Sequence, residues 1–195
     1  MKNILKSKKG LSTVITTLII LVVSVLLATV VTFYAINLTT NSTQQESLYM
    51  SNLHVWYNTA SPGWAEAAFV LTNTGGKDVV LQSITARSQP TAWTNVYYNA
   101  SNTWTVTTLY PTAAKLTTSS FVPLNGTYGT AGTTVMQGKL TAATSVITLK
   151  SGYTLVVYIM SPDSIGQNDV GTPVAVTVFT ANAQWTQECN VQAAQ

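Results

Sequence analysis

A chain of 195 residues can hold one globular domain with a real core even after a helical segment is set aside. Charged residues are 8% of it, far below the roughly 25% usual for soluble domains. Ser and Thr fill about a quarter of all positions, so hydroxyls do the solvating that charges usually do, and few groups titrate between about pH 2 and 7. The basic pI of 9.0 is local: of nine basic residues four are Lys2, Lys6, Lys8 and Lys9, and without them five basic groups face six acidic ones, a balance of −1. No basic patch survives to bind nucleic acid.

The first element is the most informative. Lys8-Lys9-Gly10 stands ahead of Leu11, and no charged residue follows until Glu46. Between Leu11 and Ser61 there is also no glycine and no proline. The basic end is held in the cytoplasm, and the apolar run is a membrane segment. An ordinary secretory signal has an apolar stretch of about 7–15 residues and an A-x-A cleavage site; this run is longer and ends in Tyr34-Ala35-Ile36-Asn37. Leu11–Leu38 alone makes a helix of roughly 42 Å, and propensity carries it through Gln44-Gln45-Glu46 toward Leu48, a rod of roughly 55 Å. Spanning needs only about 20 apolar residues, so the excess requires another partner. The chain therefore divides into a leader over 1–10, a hydrophobic helix over 11–50 and an outer domain over 51–195.

Lys8-Lys9-Gly10 followed by Leu11-Ser12-Thr13-Val14-Ile15 resembles the class III signal peptide of archaeal type IV pilins and archaellins, over Lys6 to about Ala35. The resemblance implies that a membrane-embedded aspartate protease of the prepilin-peptidase type cuts after Gly10. Leu11 then becomes the N-terminus, and the helix leaves the membrane to form a filament core. It also implies a structural subunit rather than an enzyme, with no cofactor. Its partners would be copies of itself, the signal peptidase, the pilus assembly machinery and, before assembly, the membrane. Bacterial relatives carry a glutamate at the fifth position of the mature helix; here that position is Ile15, so a salt bridge to a neighbour's N-terminus cannot set subunit register. Thr13, Thr17, Ser24 and Ala28 lie close to one stripe of the helix, where small residues let helices approach and hydroxyls can bond to carbonyls.

After Glu46 the pattern turns to alternation. Leu53–Tyr57, Ala67–Leu71, Val79–Leu81 with Ile84, Asn95–Tyr98, Trp104–Leu109, Val146–Leu149, Tyr153–Met160, Val174–Thr180 and Gln184–Val191 read as strands rich in Val, Thr and Tyr. Asn73-Thr74-Gly75-Gly76 is a turn, and Ser61-Pro62-Gly63-Trp64 is read as the bend into the sheet. Thr112–Thr144, rich in Thr, Ala and Gly, is the least regular stretch, read as a set of surface loops or poorly packed edge strands. The fold class is α+β: a long N-terminal helix followed by an antiparallel immunoglobulin-like β-sandwich.

Enzymology finds little to use. His54 is the single histidine and Cys189 the single cysteine. No orienting motif makes them a nucleophile and base, and one cysteine allows no internal disulfide. Asp163 and Asp169 flank Ser164-Ile165-Gly166-Gln167-Asn168, an oxygen-rich loop without EF-hand spacing, so no metal is assigned. Sequons begin at Asn37, Asn41, Asn99 and Asn125; an extracellular route gives them access to glycosylation, with Asn99 and Asn125 read as loop sites. Trp56, Trp64, Trp93, Trp104 and Trp185 are mostly packing residues, while Tyr97-Tyr98 with Trp104 could form a sugar-binding face. The expected role is an adhesive archaeal pilus, an extracellular filament with a membrane-embedded precursor. The alternatives are an archaellin, which shares signal, helix and sandwich, and a membrane-anchored sugar- or surface-binding module.

Overall fold

The computed structural model describes residues 2–59, 63–103, 106, 108–112, 114–117, 123–127 and 134–194, with backbone alone for 2–9, 42–44, 123–127 and 134–139. It divides into two compact units, Met1–Gln44 and Gln45–Gln195.

The first unit is α1, Lys2–Gln44, with 43 residues and about 65 Å long. Nothing in it breaks a helix, yet its middle is dense in Val, Ile and Thr, which lose rotamer freedom in a helix. Such a sequence is best served by apolar surroundings, where unpaired backbone groups have no water to turn to. Gly10–Asn41 is long and apolar enough to cross a membrane. Its side chains are exposed along the described length, from Leu11 at 66% to Leu38 at 61%. The helix stops at Gln44 and does not reach Leu48, because the next three residues are held by the sheet.

Among the described residues the second unit holds twelve strands: β1 (Leu48–Asn58), β2 (Trp64–Asn73), β3 (Val79–Ala86), β4 (Gln89–Pro90), β5 (Val96–Ser101), β6 (Pro123–Thr127), β7 (Thr134–Lys139), β8 (Thr141–Ala142), β9 (Ile147–Leu149), β10 (Thr154–Met160), β11 (Pro173–Thr180) and β12 (Gln184–Ala193). Ten form one sheet in the order β4-β3-β11-β12-β1-β2-β10-β5-β8, with β9 on β3; β6 and β7 pair separately. Among the described strands only β1 and β12 run parallel, with Val55 opposite Val191. The neighbouring pairs β1–β2, β2–β10, β10–β5, β11–β12 and β3–β11 are antiparallel.

The sheet is continuous through β12 and curls, so that its two halves share one inner core. Val55, Phe69, Leu71, Leu155, Val157 and Ile159 from one half meet Leu81, Ile84, Val174, Val176, Val178 and Val191 from the other. Alternation explains this, since successive side chains on a strand point to opposite faces. The central strands depart from simple alternation. All seven residues of β10 are buried, because the outer face of β2 and β10 is covered as well. There Trp56, Ala68, Val70, Tyr97, Val156, Tyr158 and Met160 pack with Leu109, Leu116 and Leu140. Each large apolar side chain fully buried in these layers contributes about 1.5–3 kcal/mol.

Two local readings change, and a third is decided between its alternatives. The chain enters the sheet at Leu48, before Ser61, and antiparallel β1 and β2 pair with Asn58 opposite Trp64; Ser61 and Pro62 lie outside the described residues. The stretch read as a strand over Trp104–Leu109 supplies an isolated bridge at Val106 and a buried Leu109, while Trp104 lies outside the described residues. Of the two alternatives for Thr112–Thr144 the described parts favour strands, with β8 at the sheet edge and β6 paired with β7, alongside the buried Thr112, Leu116, Leu140 and Ala143.

Candidate functional site

The largest unsatisfied surface is α1 itself. Lys8 and Lys9 lie on it as backbone, and Gly10 and Leu11 are helical and exposed. A methyl group at Gly10 would meet nothing within 4 Å. The helix therefore has no steric need for glycine there, and alanine would favour the helix by about 1 kcal/mol.

Thr13, Thr17, Ser24 and Ala28 are all exposed and fall within about 60° of one another at 100° per residue. The hydroxyls are not waiting for a neighbour. Thr17 Oγ1 donates to the Val14 carbonyl at 2.9 Å, and Ser24 Oγ to Ile20 at 2.7 Å. Thr16, Thr29 and Thr32 do the same to Ser12, Val25 and Ala28. The small-residue stripe remains, but its hydroxyl protons are already engaged.

Beyond the helix, residues 45–47 are held in a collar of turns. Glu46 accepts hydrogen bonds from Thr180 Oγ1 and Asn182 Nδ2, both at 2.6 Å, and lies 3.4 Å from Lys77 Nζ. Its side chain is only 6% exposed. The Thr180 bond above all, with Asn182 and Lys77, holds its carboxyl below the usual range. The Ser47 carbonyl accepts from the N–H groups of Thr74 and Gly75 at 2.9 and 3.1 Å. A Cβ at Gly75 would sit 2.9 Å from the Gln45 carbonyl and 3.0 Å from the Ser47 nitrogen, so this close approach requires glycine. Buried Asn73 ties the turn down, donating to Lys77 and Leu149 carbonyls at 2.8 and 3.1 Å. The sequence reading assigned Glu46 to the helix tail and Gly75 to an ordinary turn. The signal for the collar, a lone carboxylate ending a long uncharged run, was present.

The sequons are scattered. Asn37 and Asn41 are exposed on α1, and Asn37 Nδ2 donates to the Phe33 carbonyl at 3.0 Å. Asn99 is a half-buried position of β5 opposite Val156, and Asn125 lies in β6, so both stand on strands rather than in loops. Exposed hydroxyls also bond across strands: Thr177 and Thr186, opposite each other on β11 and β12, bond at 2.8 Å.

Asp163 and Asp169 are brought together by Arg87, which the sequence reading missed. Its Nε donates to Asp163 Oδ2 at 2.8 Å and its Nη1 to Asp169 Oδ1 at 3.2 Å. The guanidinium stands between the two carboxylates, where a cation would otherwise be needed. Arg87 and Ser88 form the two-residue β3–β4 turn with φ of 48° and 66°, a geometry that favours Asn-Gly. Asp163 is also at positive φ, 48°, so the ion pair spans two costly backbones.

Glu66, on central strand β2, is fully buried. Thr112 grips it through its N–H to Oε1 at 2.7 Å and its hydroxyl to Oε2 at 2.5 Å. Burial pushes its carboxyl up from its ordinary value, against the pull of the Thr112 bonds. With Tyr158 Oη donating to the Tyr110 carbonyl at 2.8 Å, this fastens the segment around Leu109 over the outer layer.

His54 stacks on Trp56 with ring centroids 5.1 Å apart, on the outer face. Cys189 packs against the inner core, and burial pushes its thiol up; the two therefore lie on opposite faces and make no dyad. Trp56, Trp64 and Tyr97 are buried in the outer layer, while Trp93, Tyr98 and Trp185 pack on the inner core. No family model matches the chain, and no curated protein matches its sequence.

Proposed function

We propose that the chain is a structural subunit that polymerises through α1 into an extracellular archaeal type IV pilus serving adhesion. The observation that carries this reading is the pairing of a 32-residue apolar stretch, Gly10–Asn41, exposed throughout, with a basic Lys8-Lys9-Gly10 junction at its start. An exposed apolar surface of this size marks an interaction site. A membrane answers for only about 20 of its residues; copies of the same helix answer for the rest. Gly10 has no structural need in the helix, which is consistent with a residue kept small for a peptidase.

In this reading the leader keeps its end in the cytoplasm, the peptidase cuts between Gly10 and Leu11, and the subunits leave the membrane with their helices at the filament axis. The curled sheet acts as an outer wall domain of immunoglobulin-like sandwich type, supported by the inner core that its two halves share. The subunit is non-enzymatic and takes no cofactor. The collar holds Glu46 and Ser47, the residues just before β1, to the sheet domain. Sugars on Asn99 or Asn125, together with the hydroxyl-rich strands, would meet the environment.

The test is electron microscopy of filaments sheared from cells, labelled with antibody against residues 45–195. Labelling along the whole filament supports the reading; labelling confined to the cell envelope contradicts it.

A further inference from the structure

A bundle of apolar helices has a register problem. Side chains of similar shape recur every turn, so copies slipped by about 5.4 Å pack nearly as well. Polar side chains usually remove that ambiguity. Along α1, however, no charged group occurs between Leu11 and Glu46. From Thr16 through Phe33 every hydroxyl, on Thr16, Thr17, Ser24, Thr29 and Thr32, donates to a carbonyl of its own helix at 2.7–2.9 Å. Donating to a neighbouring copy instead would break one hydrogen bond to make another, with no net gain. This stretch is silent about register.

The next polar side chains are Tyr34 and Asn37. They stand three residues apart, hence on one face, and Tyr34 is 68% exposed. A carboxamide has two N–H donors and an acceptor oxygen; Asn37 gives one N–H to Phe33 and keeps the other. Thr39 and Thr40 again donate to their own helix, at Ala35 and Ile36.

Resting on the pilus reading, we infer that Tyr34 and Asn37 pin the register between copies by hydrogen bonding to carbonyl or hydroxyl oxygens of a second copy's helix. The hydroxyls of Thr16–Thr32 do not contribute. At the cut end, the open N–H groups after Leu11 locate a terminus but repeat at no second point, so a pin toward the other end of the apolar run is needed to align two rods.

The experiment compares full-length variants expressed in place of the native chain, with filament rise and twist read by electron cryomicroscopy. Wild-type chain must form filaments; if it forms none, the pilus reading itself fails and the inference with it. Given wild-type filaments, the variant Thr16→Val, Thr17→Val, Ser24→Ala, Thr29→Val, Thr32→Val keeps the wild-type rise and twist. Should that variant not accumulate in the membrane, Ser24→Ala and Thr29→Val are read singly with the same expectation. Tyr34→Phe with Asn37→Leu gives filaments of changed or mixed rise, or none although the processed subunit is present in the membrane. Thr39→Val removes the Asn37 sequon yet keeps the amide, and retains wild-type symmetry. The inference is overturned by wild-type symmetry in the Tyr34→Phe, Asn37→Leu variant, by altered symmetry in the hydroxyl variants, or by a glycan found on Asn37.

Discussion

Removing the carboxylate at the collar, Glu46→Ala, tests whether the residues after the helix are a structural part of the sheet. The lost contacts are the two 2.6 Å bonds from Thr180 and Asn182 and the 3.4 Å pair with Lys77. Hydrogen bonds to a charged group contribute about 1.5–3 kcal/mol each. Two features reduce the sum. Thr180 Oγ1 also reaches the Ala183 carbonyl at 3.1 Å, so it is not orphaned, and Asn182 is exposed and turns to water. Lys77 is 40% exposed, and such a pair contributes only about 0–1 kcal/mol. A loss of about 2–3 kcal/mol is expected, a fall in Tm of roughly 5–10 °C for a domain of this size. The assay is thermal unfolding of the full chain in detergent, followed by near-ultraviolet circular dichroism of the tryptophans. Lys77→Ala should cost no more than about 1 kcal/mol. If Glu46→Ala unfolds with the wild type, or if Lys77→Ala costs as much, the collar does not hold the chain as described.

Gly75→Val should destabilise the same collar by about 1–3 kcal/mol through overpacking, because the Gln45 carbonyl lies 2.9 Å from the new Cβ position; urea unfolding midpoints measure it. Arg87→Ala should lower the midpoint and release the β3–β4 turn, seen as faster amide exchange at residues 87–89, while Lys150→Ala should not. Glu66 carries a pH signature. Its carboxyl is raised above its ordinary value of 4.5, so its stabilising effect is fully present below that value and is lost as pH rises through the folded value. Glu46, Asp163 and Asp169 are lowered, so their contributions are present above the ordinary range and lost only as pH falls through their lowered values. Wild-type stability should therefore decline from mild acid toward neutrality, and Glu66→Gln should flatten that slope; an unchanged slope in the variant would refute the assignment.

The helix was legible because a run without charge, glycine or proline admits few alternatives. Strands β1, β2, β10, β11 and β12 were legible from alternation and β-branched content. The helix end was not: Gln44-Gln45-Glu46 favours continuation locally, and the tertiary grip of Thr180 and Asn182 on Glu46 overrides it. Nor could periodicity show that β12 lies parallel to β1 and joins the two halves into one sheet, since pairing partners distant in sequence leave no local trace. Burial of Glu66 is invisible for the same reason: its partner Thr112 is 46 residues away in a stretch that reads as irregular. Helical spacing alone puts Thr13, Thr17, Ser24 and Ala28 on one face, but it does not decide between hydroxyls bonded to a neighbour and hydroxyls turned to their own helix, which the Thr17 and Ser24 bonds to Val14 and Ile20 show.

The proposed pilus assembly requires Leu11 to begin the working subunit of the polymer. Mass spectrometry of the N-terminal peptide from sheared, purified surface filaments tests it most directly. The expected subunit begins at Leu11 and lacks Met1–Gly10. Filaments built from a subunit that retains Lys8-Lys9-Gly10, or filaments without this chain, would contradict it.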